Sequence, residues 1–494
     1  MRAWAFPILL LVAAAGCLSN PVLNPGPSGP AEPPSVEGVL HRAGGVIVDV
    51  AGLVQAIGGQ YSTGFDSTEP TIGVDGHGNV FMVAFEGGEP TVAASKDQGQ
   101  TWKALRPEVS GQPTHPTSFD PYVYVDTDTG RLFMDDLTPP CNLLSWSNDQ
   151  GASWTTNPVA CGSPQLNDHQ TIVTAKPRTL TPVGYPKLVY FCANQVNYAS
   201  CAVSLDGGQT FNPQVPVGPS APGSVAAIAT ENGCLAITGH VEADHEGRVY
   251  LPLSCGGQPH LAVTENDGVT WTLRRISDKA MDGHDVDLGV DDANGLYAVW
   301  NGLEGKVWYA HSEDLGRSWS KAIDVTAPGV TATMFAAVDA GASGRVAIAY
   351  VGTTIEGGYE GKPMGSGGVV GDLVGEPDPP EWAAATWNAY LGILVDGRAS
   401  DPVIQSVTAN DAQDPLARGL CGRTRCHGMN DFLDVRVGPD GRPWASFVDV
   451  CTKACVTDPD THWDQSIGFA GALRAGPALR GDGALPVIAA PPQT

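Results

Sequence analysis

The sequence predicts an all-β fold of repeated four-stranded units, a β-propeller, and three observations predict it. A short motif recurs five times at similar intervals. Glycine (61) and proline (40) are plentiful, which suits many short strands joined by turns. Beyond residue 60, no long stretch carries helical periodicity. With 494 residues, 42% of them hydrophobic, the chain can bury a large core, and repeat folds of this length form single units.

The motif reads Ser95-Lys-Asp97-Gln-Gly99-Gln-Thr101-Trp102, then Ser147-Asn-Asp149-Gln-Gly151-Ala-Ser153-Trp154 and Ser204-Leu-Asp206-Gly-Gly208-Gln-Thr210-Phe211. The fourth copy, Thr264-Glu-Asn266-Asp-Gly268-Val-Thr270-Trp271, puts Asn at the acidic position; the fifth is Ser312-Glu-Asp314-Leu-Gly316-Arg-Ser318-Trp319. First residues 95, 147, 204, 264 and 312 lie 52, 57, 60 and 48 apart. In each copy the Asp or Asn accepts backbone hydrogen bonds in a tight turn, the Gly takes positive φ, and the aromatic residue buries apolar area between sheets. A strand, a Gly/Asp turn and a second strand precede the boxes, as in Thr71–Ala84 and Asp287–Trp300. The same pattern occurs at Phe335–Tyr350 and Asp434–Phe447 with no box after it, and later strands follow near Ala389–Val395 and Ser466–Leu473.

These copies resemble the Asp-box, or BNR repeat, of the sialidase-like propellers, over most of residues 65–475. The resemblance implies four-stranded blades in which the boxes are C–D turns that brace the fold and do no chemistry. Five boxed units and two without a box make seven blades; six, the number in the sialidases, is the alternative. The chain then divides into a signal peptide at 1–16, a Pro/Gly-rich tether and N-terminal segment at 17–60, the propeller at 61–480 and a tail at 481–494.

If the boxes and the Gly/Asp turns share one face, the opposite face receives the starts of the innermost strands. Those starts are polar: Glu69, Asp120, Asp168, His169, His240, Glu242, His284, Asp285 and Asp431. Asp120, Asp168, Asp285 and Asp431 are candidate acid and base groups, because glycoside cleavage needs two carboxylates. Glu69, His240, Glu242 and Trp382 are candidate ligand contacts, and Tyr122, Tyr198 and Trp463 offer further aromatic surface. His169 and His284, with nearby carboxylates, suit a divalent metal; an all-carboxylate subset would suit calcium. The Gly/Pro-rich insertion Thr353–Trp382 overhangs the same face.

Arg2, the apolar run Phe6–Ala15 and Ala14-Ala15-Gly16-Cys17 read as an export signal, and the last four residues resemble the lipobox of prokaryotic lipoproteins. Cys17 would carry the lipid, anchoring the chain to a membrane at the cell surface or in the periplasm. The other ten cysteines are even in number and fall in neighbouring couples, which predicts local disulfides Cys141–Cys161, Cys192–Cys201, Cys234–Cys255, Cys421–Cys426 and Cys451–Cys455. These couples staple the loops of the site-bearing face. A net charge of -26 repels nucleic acid.

Function is less determined than scaffold. Sialidases hold a substrate carboxylate with an arginine triad and carry an Arg-Ile-Pro motif; this chain has no Arg-Ile-Pro, and Arg418, Arg423 and Arg425 all belong to one loop. The resemblance therefore implies a monomeric, glycan-directed, glycoside hydrolase-like propeller with no transferable sialidase residue. The alternative is a non-catalytic binding or adhesion propeller that captures a glycan or surface protein and holds an axial divalent metal.

Overall fold

A computed structural model describes residues 38–491, apart from 44, 48, 49, 51, 110, 111, 114–117, 119, 139, 140, 160–166, 195–198, 213, 214, 217–233, 235–237, 283, 356–384, 420, 422–425, 430, 459 and 462. Cys17, Tyr198, Trp382, Arg423 and Arg425 fall outside the described residues. Among the described residues the chain is all-β, with almost no helix and several antiparallel sheets. Among the described residues no helix is long and apolar enough to cross a membrane.

Strands pair in sets of four with up-and-down order. The first set is Ile72–Val74, Val80–Glu86, Glu89–Ser95 and Lys103–Leu105. The second runs from Pro121–Asp126 to Thr155–Val159, the third from Asp168–Ala175 to Val215–Pro216. The fourth runs from Glu242–Ala243 to Thr272–Arg275, the fifth from Val286–Val290 to Ile323–Asp324, the sixth from Ala332–Ala340 to Ile404–Thr408. Val39–Arg42 pairs with the outer strand Ile404–Thr408 and so widens the sixth sheet. The seventh set is Val435–Val437, Pro443–Asp449 and Ile467–Ala475, and its fourth strand is Ile57–Asp66 from the start of the chain. A single pair, Asp66 with Phe85, links this sheet to the first. The first strand of each set lies against the first strand of the next, and Val435–Val437 lies against Ile72–Val74.

The boxes make these turns by one hydrogen-bond scheme. In the third copy Gly208 N–H donates to Ser204 Oγ (2.8 Å) and Ser204 Oγ to Asp206 Oδ1 (2.8 Å). Thr210 N–H and hydroxyl then donate to the two oxygens of Asp206 at 2.8 and 2.6 Å. The fourth copy keeps the scheme with an amide: Asn266 Oδ1 accepts from Thr270 N–H (2.9 Å), and Asn266 Nδ2 donates to Thr270 Oγ1 (2.9 Å). Two consecutive residues turn left-handed in every box, and the first is usually not glycine: Gln98, Gln150, Asp267 and Leu315 have φ between 57 and 65°, beside Gly207 in the third copy.

The box aromatics cap the clusters between successive sheets. Trp154 packs against the cluster that holds Val83 and Val123, Phe211 against that of Phe133 and Val189, Trp319 against that of Val263 and Leu288, and Trp102 against that of Tyr61 and Trp444, while Trp271 belongs to the cluster of Tyr190 and Leu251. Only Trp271 among them is fully buried; the other four are half-buried lids rather than core residues. Disulfides join Cys192–Cys201, Cys234–Cys255, Cys421–Cys426 and Cys451–Cys455, the neighbouring couples expected from the sequence. Cys141 is also disulfide-bonded, and its expected partner Cys161 lies outside the described residues.

Asp206→Ala removes three side-chain hydrogen bonds from one turn and should lower stability by about 1 kcal/mol. Trp271→Ala should cost about 3 kcal/mol, because it opens a filled inter-sheet cluster. Denaturant titration of both variants checks the order; equal losses would mean that the aromatic lid contributes no more than the turn.

Asp449, at the end of Pro443–Asp449, gives a pH signature. Burial pushes its carboxyl up to about 7, although Cys451 N–H (3.0 Å) and Gln60 Nε2 (3.2 Å) donate to it. A raised carboxyl leaves stability intact below its unfolded value and weakens the fold as pH rises through about 7. Asp449→Asn should therefore raise Tm at pH 8 by roughly 2 °C or more and leave Tm near pH 4 unchanged. Scanning calorimetry at the two pH values is the measurement, and a Tm that drops at pH 8 contradicts it.

Candidate functional site

The polar residues at the strand starts converge because the first strands of several sets deliver them to the same end. Glu69 precedes Ile72–Val74, Asp120 precedes Pro121–Asp126, and His284 and Asp285 precede Val286–Val290. Asp431 stands before Val435–Val437, and His169 sits within Asp168–Ala175. All six are buried; Asp168 alone of the predicted carboxylates is exposed. Backbone irregularity aims two side chains. His169 has φ 47° inside a bulge between Asp168 and Thr171, and Phe335 has φ 55° inside one between Met334 and Ala337. Bulges re-aim side chains, and left-handed non-glycine residues persist only where surrounding contacts hold them. Glu69 shares this geometry, with φ 45°.

His169 Nε2 lies 3.5 Å from Asp431 Oδ2, and its ring meets His284 edge-on with centroids 5.8 Å apart. His284 Nδ1 pairs closely with Asp285 Oδ1, while His284 Nε2 is buried without a partner. Glu69 hydrogen-bonds to both Asp120 and Asp431. Burial would raise Asp431, but the His169 charge and hydrogen bond outweigh it and hold the carboxyl far below the usual range. Burial would likewise lower His169; Asp431, with Asp168 and Asp120, pushes it up to about 10. Burial pushes Asp120 up to about 7, opposed by His169 and reinforced by the Asp168 and Asp431 charges. His284 holds Asp285 low against the effect of burial.

His240 and Glu242 belong to a second, adjoining cluster. Phe432 separates the two, with ring centroids 5.3 Å from His169 and 5.7 Å from His240. His240 Nδ1 lies 3.6 Å from both Asp287 and Asp434, and burial lowers its pKa. Glu242 pairs with Arg436, which also reaches Asp434 at 3.4 Å. Burial still pushes Glu242 up to about 7 against the Arg436 charge.

Arg436, Asp287, Asp434 and Phe432 were not singled out from the sequence. Their signal is alternation: Asp285 and Asp287, and Asp434 and Arg436, sit two apart at the starts of first strands, where a fully buried strand would read as apolar throughout. Tyr122 does not offer a stacking surface, since it is buried, accepts from Thr171 Oγ1 at 3.1 Å and meets His240 edge-on. Trp463 is exposed. Arg418 is committed to the carbonyls of Cys455 (2.7 Å) and Val456 (3.1 Å).

No family model matches this chain, and no curated protein does. Among solved structures, the chain is similar to the BP39L lectin of Burkholderia pseudomallei, with 10% identity, TM-score 0.48, and coverage of 86% of this chain and 99% of that one. It is similar to the intramolecular trans-sialidase of Ruminococcus gnavus, at 12% identity and TM-score 0.40, over 84% of this chain and 96% of that one. A protein of unknown function from Dyadobacter fermentans is similar at 11% identity and TM-score 0.41, over 86% of this chain and 99% of that one.

Proposed function

We propose that the protein is an exported seven-bladed Asp-box propeller that binds and hydrolyses a glycoside at the cluster around His169. The cyclic contact of the seven first strands supports the blade count, and the use of Ile57–Asp66 as the fourth strand of the last sheet supports closure of the ring by the chain's own start. Export and attachment of lipid at Cys17 rest on the lipobox resemblance, and the disulfides fit an oxidising compartment. Net charge -26 directs the surface away from nucleic acid.

The observation that carries the activity is the convergence itself. Each of the seven strand sets contributes a buried residue at the same end, Glu69, Asp120, His169, His240, Asp285, Phe335 or Asp431, with His240 in the adjoining cluster. Cleavage of a glycosidic bond needs one carboxylic acid that gives a proton and one carboxylate that stays ionised, in different surroundings. Asp285 is paired with an imidazole, whereas Asp120 Oδ1 is buried with no partner. Asp120 is therefore assigned as the proton donor and Asp285 as the anion. Sialic acid specificity is not part of the proposal, since Arg418 and Arg436 are already committed to protein partners.

A panel of aryl glycosides tests this. At least one should be turned over, and Asp120→Asn and Asp285→Asn should each lower kcat by about 10²-fold or more with Tm within a few degrees of the parent. Glycan-array binding with no turnover would replace hydrolysis by capture. The absence of both turnover and binding would overturn the glycan reading altogether.

A further inference from the structure

We infer that His169, His284 and Asp431 form a binding site for a divalent transition-type ion, with Asp285 as the residue that positions His284. This stands on the geometry of the cluster and does not depend on the glycan reading. One ligand atom from each of the three residues lies within 4.8 Å of the other two, and all three side chains are buried. A tripod of two imidazoles and one carboxylate leaves coordination positions open, as catalytic rather than purely structural metal sites do.

A second, independent observation points the same way. The two ring nitrogens of His284 have different fates: Nδ1 is taken by Asp285, and Nε2, on a side chain only 3% exposed, has no partner. Burying a polar nitrogen unsatisfied is costly. A carboxylate on one nitrogen fixes the tautomer in which the other carries a lone pair, the arrangement that presents a histidine to a metal. Asp120 Oδ1, in the same cluster, is likewise buried without a partner.

Charge and backbone agree with that assignment. Glu69, Asp120, Asp285 and Asp431 are four buried carboxyl groups around two imidazoles, and a bound divalent cation would favour their ionised forms. His169 reaches the cluster only through a left-handed residue in a strand bulge, strain that a metal bond would reward. Two nitrogen donors favour a zinc-like ion over calcium, which takes oxygen ligands. Calcium would suit an all-carboxylate subset, whereas the histidine pair calls for a borderline transition ion.

The test is elemental analysis of the full chain purified without chelator, followed by chelator stripping and titration with Co²⁺. One equivalent of a transition ion per chain is expected as purified. Adding Co²⁺ to the stripped protein should give visible d–d absorption that Zn²⁺ abolishes. His169→Ala and His284→Ala should lose both signals, and His260→Gln, a substitution in Gln258–Thr264 of the fourth sheet, should keep both. Asp285→Asn should retain the stoichiometry with affinity lowered about 10–100-fold. A stripped, folded parent chain that gives no absorption with Co²⁺ overturns the site, and so does unchanged cobalt binding in folded His284→Ala. If the alanine variants do not fold, the cobalt titration of the parent chain decides alone. Neither signal involves a sugar, so failure here leaves the glycoside test standing, and an inactive glycoside panel leaves the metal result standing.

Discussion

The structure depends on one long-range pairing, the strand Ile57–Asp66 against Ile467–Ala475. Thr63 Oγ1 donates to Gly468 O across 405 residues of chain at 2.7 Å, and the ladder runs from Ile57 to Ser62 beside it. In every other sheet the four strands of the set follow one another in the chain, and only Val39–Arg42 joins one of them, the sixth, from a distance. This one must bring the two ends of the chain together before its core can form, so the entropy of a very large loop is lost before any contact repays it. Tyr61, in the middle of that strand, is fully buried against Trp444, Ile72 and Trp102, so the pairing and the packing of the first sheet on the last are formed by the same residues.

What could be read in advance followed the range of the interactions. The box motif is local: Ser, Asp, Gly and Thr within seven positions satisfy one another, so spacing alone exposes it. The left-handed residue ahead of the glycine was invisible, because glutamine, aspartate and leucine all occupy it, at Gln98, Gln150, Asp267 and Leu315, and the conformation is imposed by the hydrogen bonds around them. The half-buried state of Trp102 and Trp154 was equally hidden, since a lid and a core residue have the same side chain.

The candidate site was legible in part for the same reason. Acid and imidazole groups at strand starts stand out against the apolar strands they precede, so Glu69, Asp120, His169, His284, Asp285 and Asp431 could be proposed together. Their division into two clusters could not. It depends on Phe432, which sits between His169 and His240, and on Arg436, which draws Glu242 and Asp434 toward itself. Both are tertiary facts. An arginine in a strand of alternating residues looks like any solvent-facing cation until the neighbouring strand is known.

The short strand Val39–Arg42 has a consequence for how the molecule behaves in a crowded compartment. A sheet's outermost strand exposes unpaired amide and carbonyl groups, and such an edge can recruit the edge of another chain. Here Val39, Leu40 and His41 pair with Ser406, Gln405 and Ile404, and His41 Nε2 bonds Ser406 Oγ at 2.8 Å, which seats the cover by side chain as well as backbone. The segment leading into the closing strand Ile57–Asp66 thus doubles as a guard against self-association, shielding the Ile404–Thr408 edge of the sixth sheet.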